Sequence, residues 1–390
     1  MRLATAVSAC VAVLLSVIAG PAAAAAPGAP AAAPAPAAAP PSWTAAQLDR
    51  VIRRAAADAG VPGVIVGVWQ PGRPGYVRAF GVADKKHRTP MRPGLNMRIG
   101  SETKTFTVTA LLQLADRGEV GLDDPVSRYV PGVPDGRHIT LRQLAQMRSG
   151  LFPYSKDAGF QHLLATRPHR QWTPAELLRI AFRHANQFPP GTKFDYSNTN
   201  TVLLGLVVEK VTHCTLREAI QRMITRPGHL DRTFLPKAAE FPRPHAHGYT
   251  DFTPDGSVAD ATDFNPSWGW AAGAMISDLA DLRSWAVNVA TGRLLSPRTQ
   301  AQRLAAHPTG APGDSYGLGI DINHGWIGHA GSLPGYQSLT VYLPAQKATM
   351  VILLNTDIAA HGENPSTLLG RAITQVISPG NVYGDASDQN

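Results

Sequence analysis

Two cysteines in 390 residues are too few for a disulfide framework, and one of them, Cys10, lies in an apolar N-terminal stretch that reads as removable. With Cys10 gone, Cys214 stands alone and the fold must rest on core packing. Basic residues never run longer than two in a row, so the excess of 36 Lys+Arg over 28 Asp+Glu, net +8, forms no nucleic-acid-binding stripe. It leaves an anionic cell envelope, or a generally arginine-rich composition, as the meaning of the charge. The chain has no Gly-x-Ser-x-Gly, no His-Glu-x-x-His and no P-loop, and His245-Ala246-His247 lacks further ligands at metal spacing. No metal, cofactor or nucleotide is expected. Charged residues make up only 16% against 44% apolar, with a mean hydropathy of -0.10, which excludes a disordered chain and a multi-span membrane protein.

What is present begins with a leader. Arg2 is followed by an uncharged run from Leu3 to Ala19 and then by small residues through Ala26, the pattern of a signal peptide over residues 1–26. The apolar run falls short of the ~20 residues of a comfortable membrane span, and no positive cluster follows it, so cleavage is expected rather than anchoring. Residues 27–41 are Pro and Ala apart from Gly28, a spacer that cannot bury a core. A single domain is expected over 42–380, with an all-α lobe at about 120–260 and a tail at 381–390. An exported protein without lasting membrane insertion fits this layout.

Within the domain, apolar spacing predicts a helix over Thr44 to Asp58, then strands at Val64 to Trp69 and Tyr76 to Val82. Thr103 to Asp116 reads as a helix apolar on nearly every side. Further helices are expected at Leu141 to Met147, Pro174 to Ala185, Thr201 to Val211 and Leu216 to Ile224. A helix from Asp278 to Val289 precedes closely spaced, hence antiparallel, strands at Tyr316 to Ile322, Trp326 to His329, Leu339 to Leu343 and Thr349 to Leu354. Ser366 to Val376 closes the domain as a helix. The fold class is α+β.

Three motifs carry chemistry. Ser101 and Lys104 stand three apart at the mouth of the buried helix, on one face, where a desolvated amine can take the serine proton. Lys104 is the only one of eight lysines with a serine three positions before it. Taken alone, the pair reads equally as a capped helix start. Phe194-Asp195-Tyr196-Ser197-Asn198 follows a Pro-Pro-Gly turn; a phenol beside an ammonium has its anion favoured and can pass a proton to a leaving group, while Asn198 can bind an amide. Helix capping and a packed tyrosine are the alternative. Gly328-His329-Ala330-Gly331-Ser332 reads as a strand whose glycines admit a ligand backbone, with a backbone N–H that, together with that of Ser101, can hold an oxyanion.

With Ser-x-x-Lys, Tyr-x-Asn and His-x-Gly in this order, the chain resembles the serine β-lactamase and penicillin-binding-protein superfamily. The likeness is class C-like and runs closest to the secreted Streptomyces-type D-alanyl-D-alanine carboxypeptidase. It extends through Arg98-Ile99-Gly100, Leu122 to Val126, Arg148-Ser149-Gly150-Leu151, His245 to Tyr249 and Tyr316-Gly317-Leu318-Gly319. The resemblance implies a five-stranded antiparallel sheet with helices and an inserted all-α lobe. It implies Ser101 as acylated nucleophile, Lys104 as its activator and Tyr196 as acid/base. Asn198, Trp268, His329, Gly331 and Ser332 would bind substrate, with His329 supporting the tyrosine electrostatically. A carboxypeptidase is the activity implied, a monomer acting on cell-wall peptide or a β-lactam-like small molecule, with β-lactamase, esterase, D-amino-acid amidase and a non-catalytic penicillin-binding sensor or wall-binding module as alternatives. Three departures bear on substrate: Ala330 and Met147 replace the usual Thr and His, and Asp321 occupies the place of an Arg that holds a peptide's terminal carboxylate.

Overall fold

The computed structural model describes residues 43–384. The expected leader and linker, and the tail from 385 on, lie outside the described residues. The chain enters through a capping box in which Thr44 and Gln47 bond each other's backbone N–H groups. Helix α1 (Ala45–Asp58) then buries Leu48, Ile52 and Ala56, one residue per turn on a single stripe. Strands β1 (Gly63–Trp69), β2 (Tyr76–Asp84), β3 (Thr89–Pro90) and β4 (Met97–Arg98) follow, and a 3-10 turn, Gly100–Glu102, runs directly into α2 (Thr103–Asp116). The helical middle comprises α3 (Leu141–Ala145), α4 (Ala158–Thr166), α5 (Pro174–Ala181), α6 (Asn198–Thr212) and α7 (Leu216–Ile220), with a π turn at Gln221–Thr225. Two-residue strands β5 (Tyr249–Thr250) and β6 (Ala259–Asp260) pair at its end, and between residues 120 and 260 turns and irregular segments separate the helices.

The return to the sheet runs through α8 (Trp270–Gly273), β7 (Ile276–Ser277), α9 (Leu279–Thr291) and α10 (Pro297–Leu304). Strands β8 (His307–Pro308), β9 (Asp314–Tyr316), β10 (Asp321–Asn323), β11 (Trp326–Leu333), β12 (Tyr336–Leu343) and β13 (Ala348–Leu354) precede the closing helix α11 (Pro365–Ile377). The sheet is antiparallel throughout, in the order β3-β2-β1-β13-β12-β11-β10-β9-β8. Five long strands, β2 to β11, form its centre; short strands at both edges raise the expected five to nine. The expected single strand from Tyr316 to Ile322 is instead a hairpin. Gly319 takes a left-handed φ of +63°, and the Gly317 N–H closes on the Ile320 carbonyl, folding β10 back on β9.

Side-chain alternation divides the core. Val64, Val66, Val68, Leu339, Val341, Met350 and Ile352 face Leu48, Ile52, Leu369 and Ile373 of the terminal helices. Ile65, Tyr336, Tyr342, Val351 and Leu353 face α2, α6 and α9 on the other side. Helix α2 runs through the middle of that second core, with Phe106 stacked on Trp285 at 4.0 Å. Its threonines are satisfied locally, Thr109 bonding the Thr105 carbonyl and Thr107 the Ala271 carbonyl. A helix so enclosed holds its N-terminal turn rigidly, and that turn carries Ser101.

Candidate active site

Ser101 is presented where three segments cross. β4 pairs with β7, and the Ile99 N–H bonds the Met275 carbonyl, fixing the approach to the turn. Gly100 then takes φ +51°; a β-carbon there would lie 2.6 Å from the Ser332 nitrogen. A β-carbon on Gly331 would lie 2.0 Å from the Ile99 carbonyl oxygen and 2.6 Å from Ser338 Oγ. Both glycines are therefore required for the nucleophile turn to sit against β11. This contact sets the Ser332 nitrogen against Gly100, next in sequence to Ser101, whose N–H is its expected partner in holding an oxyanion. Beyond Gly328, β11 pairs only with β12, so His329 to Leu333 leave one side open to an extended ligand.

Lys104 Nζ lies 2.9 Å from Ser101 Oγ and 2.7 Å from the Ala272 carbonyl oxygen. The side chain is fully buried, and desolvation drives its pKa well below that of a free lysine. Bonded so, the amine is a base facing the serine hydroxyl. Nζ also sits 4.8 Å from the centroid of the Tyr196 ring. The Tyr196 hydroxyl is sealed from solvent without a well-aligned partner. Burial raises its pKa, Ser101 opposes the rise, and Asp321 adds to it. Burial thus works against the expected ammonium beside a favoured phenolate, shifting the amine and the phenol each toward its neutral form.

The loop carrying Tyr196 is stitched to the Arg148-Ser149-Gly150 segment. The Gly191 N–H bonds the Arg148 carbonyl, the Asp195 N–H bonds the Met147 carbonyl, and the Arg148 guanidinium returns to the Gly191 carbonyl. Ser149 Oγ donates to Asn200 Oδ1 at 2.6 Å, and Lys156 pairs with Asp195 at 3.0 Å. Met147, the departure noted above, is buried with φ +58° and accepts from Asn200 Nδ2 through its sulfur at 3.6 Å. Asn198 opens α6 beside Tyr196; its Nδ2 donates to Ser155 Oγ at 3.2 Å, and its Oδ1 has no partner.

His329 lies on β11 facing this group, its ring centroid 6.1 Å from that of Tyr196. Burial, then the nearby Lys104, push its pKa down to about 3. It is neutral, with Nδ1 donating to the Ala330 carbonyl at 2.5 Å and Nε2 accepting from the Tyr316 hydroxyl at 3.0 Å. The expected electrostatic support of Tyr196 by His329 therefore comes from an uncharged ring, which is hydrogen-bonded to Tyr316; the Tyr316 ring meets that of Tyr196 edge-on at 6.1 Å. Trp268 gives its carbonyl to the Tyr154 hydroxyl at 2.7 Å and lines a narrow recess with Leu333 and Pro334 at the end of β11. Ala330 alternates to the opposite face of β11 and packs on the outer core, and Ser332 is exposed at the strand's open edge.

The Asp321 carboxyl is shifted toward its protonated form. Asp321 pairs across to Tyr316 and Gly328, and burial together with the Asp314 carboxyl, to which it is hydrogen-bonded, pushes its pKa well above the carboxylate range. His247, singled out as half of a His-x-His pair, bonds Asp260 at 2.7 Å. Among the described residues no three His, Cys, Asp or Glu side chains are arranged to hold a metal ion. Three participants were not legible as such: the Ala272 carbonyl, a backbone atom; Tyr316, visible only as the head of Tyr-Gly-Leu-Gly; and Glu102, in a variable position of Ser-x-x-Lys.

Several known proteins share this arrangement. A structure of a D-stereospecific amidohydrolase from Streptomyces sp. superposes with a TM-score of 0.77 at 32% identity, over 86% of this chain and 99% of that one. The D-amino acid amidase from Ochrobactrum anthropi SV3, complexed with L-phenylalanine, gives a TM-score of 0.75 at 26% identity, over 86% and 98%. A D-aminopeptidase from Cereibacter sphaeroides is 29% identical over 326 residues, 80% of this chain. The chain spans 60% to 66% of the length of the curated relatives it matches. The β-lactamase family pattern itself covers residues 48–371. With that coverage added to the fold, the chain belongs to the β-lactamase family and is a serine hydrolase of the β-lactamase/transpeptidase fold.

Proposed function

We propose that the protein hydrolyses amides and short peptides of D-amino acids through an acyl-enzyme on Ser101. The observation that carries the reading is the fully buried amine of Lys104, its pKa lowered by desolvation, held 2.9 Å from Ser101 Oγ. Ser101 Oγ attacks the substrate carbonyl carbon while its proton passes to Lys104 Nζ. The Ser101 and Ser332 N–H groups receive the oxyanion. As the carbon–nitrogen bond breaks, the Tyr196 phenol protonates the departing amine and is reprotonated by the Lys104 ammonium. Water then attacks the ester, returning its proton by the same route and freeing Ser101. Asn198, Trp268 and the open edge from His329 to Ser332 orient the substrate.

The D-amide reading is supported by the Streptomyces and Ochrobactrum neighbours and by the aminopeptidase relative. It is preferred to a D-alanyl-D-alanine carboxypeptidase because the position of that enzyme's carboxylate-binding arginine holds Asp321, an acid that offers a terminal carboxylate no cation. The leader and spacer fit an exported enzyme of the cell envelope, working as a monomer on wall-derived peptides.

The test compares wild type and Ser101→Ala on D- and L-phenylalaninamide, on a diacyl-D-Ala-D-Ala peptide, and with a fluorescent penicillin. Release of ammonia from the D-amide, abolished in Ser101→Ala, is the expected result. D-alanine release without amide hydrolysis would return the assignment to a carboxypeptidase. A stable penicillin adduct with no turnover of any substrate would make the protein a sensor.

A further inference from the structure

Glu102 follows Ser101 directly and is 1% exposed. Both its carboxyl oxygens are sealed from solvent, and neither has a well-aligned hydrogen-bond partner. The polar groups nearest are the hydroxyls of Ser338 and Thr340 on β12. Ser338 Oγ is already committed to the Ile99 carbonyl at 3.0 Å, and Thr340 Oγ1 is itself buried without a partner. Thr340 stands directly across from His329, and Ser338 directly across from Gly331. The carboxyl therefore lies between the nucleophile turn and the strand pair that carries the ligand edge.

Of the elements packed against it, α2 brings Lys104, β11 brings His329, β12 brings Tyr336 and Tyr342, and α8 has no ionisable side chain. Burial shifts Lys104 and His329 toward their neutral forms and raises Tyr336. Tyr383, near enough for the carboxyl to raise its pKa, is a phenol. Among the described residues no cation pairs with Glu102, and an unpaired buried carboxylate is costly.

We propose that Glu102 is a positioning residue that acts as a neutral carboxylic acid, wedging the nucleophile turn against β12, and that losing its proton disables acylation. The proposal rests on the reading of Ser101 as nucleophile. A charge one residue from Ser101 opposes the developing oxyanion in a medium of low dielectric and draws Lys104 toward its ammonium form, removing the base. Burial sets Glu102 at about 8, against small opposing contributions from Ser338 and Thr340. The active form is then bounded on the acid side by protonation of Lys104 and on the alkaline side by ionisation of Glu102.

The experiment is the pH dependence of kcat and KM for D-phenylalaninamide in wild type and Glu102→Gln. Wild type should lose kcat about tenfold per pH unit above the alkaline limit, with KM little changed. Glu102→Gln, permanently neutral and of the same shape, should keep activity at pH 7 and move that limit upward. An alkaline limb identical in the two proteins, or none in wild type, would overturn the proposal. Should the variant not fold, infrared difference spectra of the otherwise native protein in an Asp321→Asn background must show a carboxylic-acid carbonyl stretch at pH 7 that vanishes by pH 10. Its absence at pH 7 would equally overturn the proposal. Failure of the underlying reading is seen separately, as acylation that survives Ser101→Ala.

Discussion

Replacing Gly331 by alanine should separate catalysis from stability more cleanly than removing any reactive side chain. The added carbon would stand 2.0 Å from the Ile99 carbonyl oxygen and 2.6 Å from Ser338 Oγ. Ordinary carbon–oxygen contact lies above 3 Å, so the nucleophile turn and β11 must part by about 1 Å. Overpacking of this size costs about 1–3 kcal/mol, and over a domain this large that lowers Tm by only about 1–4 °C. Catalysis is less forgiving, because the same shift separates the Ser101 and Ser332 N–H groups that face the oxyanion. Losing one such donor costs about 100- to 1,000-fold in kcat. The assay is D-phenylalaninamide hydrolysis beside thermal unfolding, with Gly94→Ala as control, since a β-carbon at Gly94 meets nothing within 4 Å. A Gly331→Ala enzyme with kcat within a few-fold of wild type would refute the assignment of β11 to the oxyanion site.

Lys104→Met should abolish hydrolysis yet unfold at a higher temperature than wild type at pH 7. Lys104 is neutral when folded and charged when unfolded, so it opposes folding below the unfolded lysine pKa of about 10.4; wild-type stability should rise with pH toward that value, and the methionine variant should lose this rise. Equal pH slopes in denaturant titrations of the two proteins would contradict a depressed lysine. Tyr316→Phe removes the hydroxyl that donates to His329 Nε2 and should destabilise by about 1–3 kcal/mol through the unpaired ring nitrogen, with a smaller loss of kcat than Gly331→Ala. Asp321→Asn should leave the relative kcat/KM for amide- and carboxylate-terminated peptides unchanged, because burial and the Asp314 carboxyl already favour the protonated form of Asp321; a large gain for the carboxylate substrate would show that Asp321 is charged in the working enzyme.

Most of the scaffold was legible because period and burial coincide. β1 and β13 are buried on both faces and read as unbroken apolar runs, while α2 betrays its enclosure by having no polar side. The hairpin at Gly317 to Ile320 was misread because two glycines among apolar residues resemble a strand until backbone φ is known. The participants Ser101, Lys104 and Tyr196 were visible as motifs, but their protonation was not. An alternation of residue types says nothing of how completely a side chain is wrapped. Lys104 is stripped of solvent by segments distant in sequence, among them α8, whose Ala272 supplies a carbonyl and no side chain to read. Glu102 escaped for the opposite reason: it occupies a position at which the motif admits any residue, and only β12 behind it makes a carboxyl there unusual.

The ionisable groups around Ser101 share one property, which bears on substrate choice. Lys104 and His329 are shifted toward their neutral forms, and Tyr196, Glu102 and Asp321 toward their protonated forms, in each case chiefly by burial. A ligand group entering this environment must also shed charge or bring its own partner. A peptide's terminal carboxylate, with a pKa near 3.5, keeps its charge at neutral pH and finds a protonated acid at the position of the arginine that would receive it. An α-amino group, with a pKa of about 8, can give up its proton on entry at a cost of roughly 1 kcal/mol at pH 7. Amides bearing a free amine are thus the substrates this neutral cleft penalises least, which is the physical reason for favouring the amidase assignment over the carboxypeptidase one.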